Sequence, residues 1–374
     1  MTRKVLVVGG GIAGMCTAIE LRKRGTHVDL VEIDPDWRVY GAGITLSGAT
    51  LRALTEIGII DDIMKHGWCA DGLDILAADG TKISEIPTPR LVASRPDVPG
   101  GGGIMRPVLA RILREHTLRS GAAVRCGTTF SSIEQDAEGV EVRFTDGRQE
   151  RYDLVVGADG LMSKVRDLVF PDAPKPVYTG QGSWRAVVPR PVHITHATMC
   201  VGRLVKAGVN PVSKDEMYLY VTERRETAEF IDESKWADTL RGVLQEFGGL
   251  IGEIRDGLGA HSRILYRPFF AVLQPRPWHH GRVVMLGDAA HATTPHLASG
   301  AGIGVEDAIV LAQELGKAAD IELALQSFTE RRYERCRMVV ENSIALGEME
   351  RVQAPKEEHQ ALMRQSLGAL MTPI

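Results

Sequence analysis

RKVLVVGGGIAGMCTAIELRKRGTHVDLVEID, residues 3–34, decides the fold. Val5–Val8 reads as a strand, Gly9, Gly11 and Gly14 as a tight turn, and the next dozen residues as a helix. A second apolar strand then ends at Glu32. Strand, Gly turn, helix and strand within about 30 residues make a βαβ unit. Gly-x-Gly-x-x-Gly at that turn is the dinucleotide fingerprint. Its first Gly permits the turn, its second lets a pyrophosphate reach the backbone, and its third lets helix and strand close up. The helix start at Ile12, Ala13 and Gly14 offers free N–H groups and a partial positive charge to the phosphates. Glu32 stands 18 residues after Gly14, where a carboxylate holds an adenosine ribose hydroxyl. The fingerprint alone does not separate NAD from FAD.

Length and composition narrow the class. At 374 residues the chain exceeds the roughly 250–300 at which single cores stop growing, so one large domain with a subdomain, or two, is expected. Its 44% apolar and 25% charged residues are ordinary for a soluble globular protein. Forty glycines exceed the usual share of about 7% and suit an α/β enzyme with several close backbone approaches. A net charge of −4 argues against nucleic acid as a partner, because such binders carry a basic surplus. No apolar run reaches the roughly 18 residues needed to cross a bilayer, and the first apolar stretch is too short for a signal peptide. A cytoplasmic protein without membrane contact is expected. The cysteines, Cys16, Cys69, Cys126, Cys200 and Cys336, are scattered without a Cys-x-x-Cys pair. They read as reduced thiols, and no metal site is expected.

Residues 41–67 read as a Gly turn into a helix that ends near Gly58 and resumes. LDILAADGTKISEIP (73–87) alternates around an Asp-Gly turn, as a hairpin does. PGGGGIMR, around Gly100, follows no strand and reads as a loop. A helix opened by Pro107 stops at Gly121, and short strands follow as far as Gly157. Residues 180–266 are strand-rich, with SWRAVVPR and EMYLYVTE the clearest members and one helix around WADTLRGVLQEF. This insert is expected to be the substrate domain, with part of 70–105 joining it. Residues 1–179 and 267–374 are expected to form the dinucleotide domain. The charged end of the chain is helical by period, and its Arg331, Arg332, Arg335 and Arg337 read as a solvated face.

Two further motifs carry chemistry. DLVVGADGLMSKVRDLV (153–169) delivers Asp159 and Gly160 at a strand end, with Ser163 and Arg166 opening a helix. A long, folded dinucleotide needs such a second grip, whereas a plain dehydrogenase does not. VVMLGDAAHATTPHLASGAGIGVEDA (283–308) places Asp288 at a strand end, suited to the hydroxyls of a ribityl chain. Small residues then let backbone lie along a flat ring beside Pro295. The N–H groups of Gly300, Ala301 and Gly302, at a helix start, suit negative charge on that ring. His291 and His296 fit no metal template, and His291 is expected to hydrogen-bond locally.

In order and spacing these three motifs resemble the FAD-dependent single-component aromatic hydroxylases, the family of salicylate hydroxylase and para-hydroxybenzoate hydroxylase. The likeness spans essentially the whole chain. It implies an α/β protein: a Rossmann-like FAD-binding domain with a mostly antiparallel β-sheet substrate domain and C-terminal helices. It also implies FAD as cofactor and NAD(P)H as a transient reductant. A flavin C4a-hydroperoxide would deliver oxygen from O2 to a small hydroxylated aromatic or N-heteroaromatic ring, in a monomer or homodimer. Arg106, in GIMRPVLARIL, matches the family's arginine on the flavin side. RVYGAGI, from Arg38 through Gly43 to Ile44, matches the segment lining the mobile ring. The chain departs from the family's third motif at Leu297 and Ala298, where Gln and Gly are common, and has Thr45 where some relatives carry a histidine.

On the substrate side, alternation puts Tyr218 and Tyr220 on one strand face and Met217, Leu219 and Val221 on the other. Trp184 and Arg185 face opposite ways, and Arg185 is a candidate anchor for a substrate carboxylate. A phenolic substrate also needs a base or acceptor for its hydroxyl proton. Thr45, Tyr218, Arg185 and Pro295 are the candidate catalytic residues. A tryptophan-type halogenase would carry Trp-x-Trp-x-Ile-Pro, and a disulfide reductase a second cysteine near Cys16; neither is present. A non-hydroxylating flavoprotein of the same fold (a reductase, an oxidase or an FAD-binding sensor) is the alternative.

Overall fold

The computed structural model describes residues 3–203 and 205–374. Its first βαβ unit is β1 (Lys4–Val8), α1 (Ile12–Lys23) and β2 (His27–Glu32). There follow β3 (Gly43–Ser47), α2 (Gly48–Ile57), α3 (Ile60–His66), β4 (Trp68–Cys69), β5 (Leu73–Ala77), β6 (Lys82–Ile86), β7 (Gly101–Met105) and α4 (Arg106–Arg119). Next come β8 (Ala123–Cys126), β9 (Phe130–Gln135), β10 (Val140–Phe144), β11 (Gln149–Tyr152), β12 (Leu154–Gly157) and the short α5 (Lys164–Val169). The strand-rich part holds β13 (Val177–Pro189), β14 (Ala197–Val201), β15 (Lys206–Pro211), β16 (Glu216–Arg224), α6 (Trp236–Val243), α7 (Gly249–Gly257) and β17 (Arg263–Ala271). The chain ends with β18 (His279–His280), β19 (Val283–Met285), the single turn α8 (Asp288–His291), α9 (Gly300–Lys317), α10 (Ile321–Arg351) and α11 (Lys356–Met371).

Six strands form a sheet in the order β18-β19-β12-β1-β2-β8. Every pairing in it is parallel except β18 with β19. Val5, Leu6 and Val7 of the central β1 are sealed from solvent. A parallel strand covered on both faces calls for such an unbroken apolar run rather than alternation. The order sets the carboxyl ends of β2, β1, β12 and β19 side by side on one rim. In open α/β sheets ligands bind beyond that rim, where the strand order reverses. All three motifs and Glu32 lie there.

The second large sheet runs β17-β13-β16-β15-β14-β5-β6 and is mixed. β14 runs parallel to β5, and the other neighbours pair antiparallel. It takes in the 73–87 hairpin and continues along β17 to Ala271, past the boundary expected at 266. Trp184, Ala186, Leu219, Val221 and Tyr266 fill its core face against Leu240, Leu244, Phe247 and Ile251 of the helical segment. Arg185, Tyr218 and Tyr220 take the opposite face, as strand alternation requires.

Three expectations are corrected. Residues 43–47 form β3 before the helix begins, so the Gly turn there is followed by a strand. Gly101–Met105, expected as a loop, is β7, the middle strand of the three-stranded sheet β3-β7-β4. Glycine weakens a strand on its own, but close packing demands it here. A Cβ on Gly103 would lie 2.3 Å from the Pro211 carbonyl oxygen, and one on Gly102 2.8 Å from the Cys69 sulfur. The arginines of α10 are not one solvated face. Arg332 is fully buried and Arg335 nearly so, because both pair with acids inside α9. No helix among the described residues is long and apolar enough to cross a membrane.

Candidate active site

Contacts between backbones bring the three motifs together. A Cβ on Gly14 would lie 2.0 Å from the Gly9 carbonyl oxygen, so only glycine closes the turn. Gly9 has φ +108° and abuts Ala158 of the second motif, whose carbonyl oxygen a Cβ would meet at 2.4 Å. Gly287 and Gly304 of the third motif pack on Ala13, with a Cβ at 2.8 and 3.3 Å from its methyl. Arg166 of the second motif donates to the Ala289 carbonyl at 3.0 Å. Glu32 accepts from the Gly10 N–H at 2.7 Å and from the Asp34 N–H at 2.9 Å, so its carboxylate faces the fingerprint turn. Trp37, which carried no sequence signal, braces that turn by donating its Nε1–H to the Gly10 carbonyl at 2.8 Å.

Several expected cofactor residues have other partners. Asp159 caps α5: it accepts from the Ser163 hydroxyl at 2.5 Å and from the Lys164 and Val165 N–H groups at 2.8 and 3.1 Å. That is a brace within its own motif; Gly160 follows it in the turn. Arg38 stands at the surface, paired with Asp34 at 3.1 Å. Gly43 makes room for an aromatic ring, since a Cβ there would lie 2.1 Å from Tyr218 Cδ1. Gly302 lets α9 meet α2, with a Cβ 2.3 Å from Thr50 Oγ1. Gly300 and Ala301 are half-buried and open α9, while Pro295 is exposed and opens a single 3-10 turn.

Below the rim, β3 faces the sheet bearing Arg185. The hydroxyls of Thr45 and Tyr218 share a short hydrogen bond. Asn210 Nδ2 donates to Thr45 Oγ1 at 3.1 Å and to the Gly102 carbonyl at 3.1 Å. Tyr218 is 5% exposed, and burial pushes its phenol up, against the pull of Thr45, Arg185 and Arg106. Burial, reinforced by the charges of Arg106 and Arg267, pushes Arg185 down to about 10, with Tyr218 opposing. Arg106 is pushed down by burial too, and its stem crosses Gly41, where a Cβ would lie 2.8 Å from Arg106 Cδ. Asp288 opens α8, near enough for its charge to act on Arg106. Its side chain is accessible, yet the depth of protein around it raises its carboxyl, against the pull of His291 and Arg106. His196 lies apart from this group and pairs with Asp74 at 3.2 Å.

Residues 2–343 match the model of an FAD binding domain. The chain belongs to the FAD-dependent aromatic hydroxylase family. It is similar to the 2-heptyl-3-hydroxy-4(1H)-quinolone synthase of Pseudomonas aeruginosa, 32% identical over 354 residues, covering 94% of this chain and 90% of that one. It is also similar to the aurachin C monooxygenase/isomerase of Stigmatella aurantiaca, 31% identical over 351 residues and covering 92% and 89%. Among solved structures, Klebsiella pneumoniae HpxO complexed with FAD and uric acid superimposes with a TM-score of 0.86, covering 99% of this chain and 95% of that one. At 23% identity that last likeness speaks for the fold.

The rim of this hydroxylase fits FAD. A Cβ built on Gly11 meets nothing within 4 Å, so open space lies where a pyrophosphate would approach. The first turn of α1 carries no acid to repel it. Asp288 is exposed and has no hydrogen-bond donor for its carboxylate among the described residues, as a ribityl partner requires.

The hydroxylase holds the Asp288 turn from behind with a buried ionic cluster. His291, expected to bond locally, instead reaches Asp307 on α9 at 2.5 Å. The same carboxylate accepts from the Gly287 N–H at 2.9 Å and from Arg332 Nε at 2.8 Å. Arg332 and Arg335 also pair with Glu306 at 2.9 and 2.8 Å. His291, Asp307 and Cys336 are close enough to hold a metal ion, but Arg332 already supplies the cation and lies 3.5 Å from the Cys336 sulfur. Two acids inside the apolar α9 were the available sign that α10 turns arginines inward.

The departure at Leu297-Ala298 has a structural meaning. Leu297 is 2% exposed and packs in the main core. Ala298 takes φ +48°, ψ 31°, a left-handed conformation in which glycine is free and alanine is strained. Ala298→Gly relieves about 1–2 kcal/mol of strain and loses about 0.4–1 kcal/mol to a looser unfolded chain. The expected net is a stabilisation of up to about 1.6 kcal/mol, read as a higher urea midpoint; a lower midpoint would show that the turn is unstrained.

Proposed function

We propose that this FAD-dependent monooxygenase hydroxylates a small acidic aromatic or N-heteroaromatic compound, with NAD(P)H as reductant and O2 as oxygen source. One observation carries the substrate class. Arg106 and Arg185 lie near enough for their charges to act on each other, and neither has a hydrogen-bond or ion-pair partner for its guanidinium among the described residues. Unpaired, half-buried cations beside one another call for anions. Arg106 stands toward the rim, beside Asp288, and suits the flavin. Arg185, on the sheet face, suits the substrate's carboxylate or enolate.

Bound FAD supplies the redox chemistry with NAD(P)H and O2. The chain orients the ring and manages its proton. Tyr218, kept neutral by burial, meets the substrate hydroxyl, and Thr45 and Asn210 continue its hydrogen-bond chain. The seven-stranded sheet, with the 73–87 hairpin, forms the substrate layer, largely antiparallel, and the rest of the chain forms the cofactor domain. The quinolone and urate chemistry named for the relatives is compatible with a flat, ionisable ring.

The test is a panel of hydroxybenzoates, hydroxypyridines and hydroxyquinolines, scored by stimulated NAD(P)H oxidation. Arg185→Gln is expected to raise KM for the acidic member about 10- to 150-fold, the value of a hydrogen bond to a charged group. A neutral analogue should barely respond. Equal losses for acidic and neutral substrates would remove Arg185 from the anion's site. Tyr218→Phe is expected to lower kcat/KM about tenfold while leaving FAD bound.

A further inference from the structure

Glu350, on the last turn of α10, gathers side chains from four other elements. Lys206 Nζ of β15 lies 2.5 Å from Oε1, and Gln181 Nε2 of β13 donates to Oε2 at 3.3 Å. His359 of α11 reaches Oε1 at 3.3 Å, and His296, in the turn after Pro295, lies 3.3 Å from Oε2. The His296 side chain is 1% exposed and the Glu350 side chain 19%. Gly347, one turn earlier, leaves the helix bare for this meeting. A Cβ there would come 2.5 Å from Gln181 Oε1 and 2.8 Å from His296 Cε1. His296 is fixed further by Thr294, whose hydroxyl lies 2.8 Å from Nδ1, and by the Phe269 ring set edge-on at 6.0 Å.

Two residues beyond His296 stands the strained Ala298. Left-handed backbone at a non-glycine residue persists only where its surroundings hold it. The turn just before it is held by the burial of Leu297 in the core and by the contacts of His296 with Glu350, Thr294 and Phe269. The strands that supply Lys206 and Gln181 are those that carry Asn210 and Arg185. We propose that Glu350 is a positioning residue: its carboxylate ties the cofactor-side turn Pro295–Ala298 to the substrate sheet, so that ring and substrate keep one fixed separation. This rests on the monooxygenase reading of the same site. Glu350 is ionised for the task. Burial opposes its charge, but Lys206, His296 and His359 hold its carboxyl far below the usual range. Burial in turn lowers His296, whose Nδ1 shares a hydrogen bond with the Thr294 hydroxyl while its Nε2 faces Glu350 at 3.3 Å.

The experiment is Glu350→Gln, with Lys206→Met as a second variant should the first fold poorly. The FAD dissociation constant is read from quenching of flavin fluorescence, and the share of reducing equivalents released as H2O2 from a peroxide assay at equal FAD occupancy. Either variant is expected to weaken FAD about fivefold, the lower end of site-to-site coupling, and to raise the H2O2 share. A variant with a lowered melting temperature but wild-type FAD affinity and H2O2 share would overturn the proposal, leaving only a structural ion pair. Wild-type protein that binds FAD but couples to no aromatic would instead overturn the monooxygenase reading on which it rests.

Discussion

Asp307→Ala is expected to lower folding stability by about 3–5 kcal/mol, the cost of leaving buried charge without its partner. The carboxylate is fully buried and serves His291, Arg332 and the Gly287 N–H at once, so its loss strands His291 and that N–H inside the core and leaves Arg332 to Glu306 alone. The measurement is urea unfolding of the apoprotein. The same cluster sets a pH dependence. Burial works against the Asp307 charge, but His291 and Arg332 outweigh it and hold the carboxyl well below the usual range. That contribution is present above the unfolded value of about 3.9 and drains as pH falls towards the folded one. For His291, burial opposes the proton, while Cys336 and Asp307 raise it well above the ordinary value. Its contribution is whole below about 6.5 and drains as pH rises towards the raised folded value. The wild-type urea midpoint should therefore fall above about pH 6.5, and His291→Gln should flatten that limb. An unchanged slope in the variant would show that His291 is neutral in the folded protein.

Asp288→Ala is expected to weaken FAD binding about 10- to 150-fold, the worth of hydrogen bonds to a charged acceptor. Apoprotein stability should not fall with it. The Asp288 side chain is accessible and makes no hydrogen bond or ion pair among the described residues, so the apoprotein loses no contact with it. Loss of FAD without loss of the urea midpoint is the signature of a ligand contact; loss of both in parallel is that of a structural one. Asp288→Asn, which keeps an acceptor oxygen without the charge, should lie between. Unchanged FAD affinity in Asp288→Ala would remove the residue from the cofactor site.

How far the sequence carried the fold depended on where the determining forces lie. β1, α1 and β2 were legible because an unbroken apolar run and a glycine spacing are local signals. β7 was not, because its glycines have low strand propensity and are required by Pro211 and Cys69, which are remote in sequence. The alternation of β16 put Tyr218 and Tyr220 on one face, but only strand register set that face beside Arg185 rather than Trp184. The Asp288 turn was legible as a cofactor contact, whereas its support was not. Arg332 and Arg335 sit in a helix charged at almost every turn, and only their acids in α9 distinguish them from Arg337, which stays at the surface with Glu334 and Glu341. Glu350 carries no sequence signal, because its partners come from four separate elements. Ala298 was visible as a departure from the family, and its meaning lay in a backbone angle.

We propose that the three-motif rim and the Arg185 face together place oxygen from O2 on an acidic ring. It is tested most directly by turnover under 18O2 with FAD, NAD(P)H and the member of the panel that best stimulates oxidation. One 18O atom is expected in each hydroxylated product, with a sharp fall in that yield for Arg185→Gln. FAD-loaded protein that consumes NAD(P)H but leaves every aromatic unlabelled, returning all its oxygen as H2O2, would contradict it.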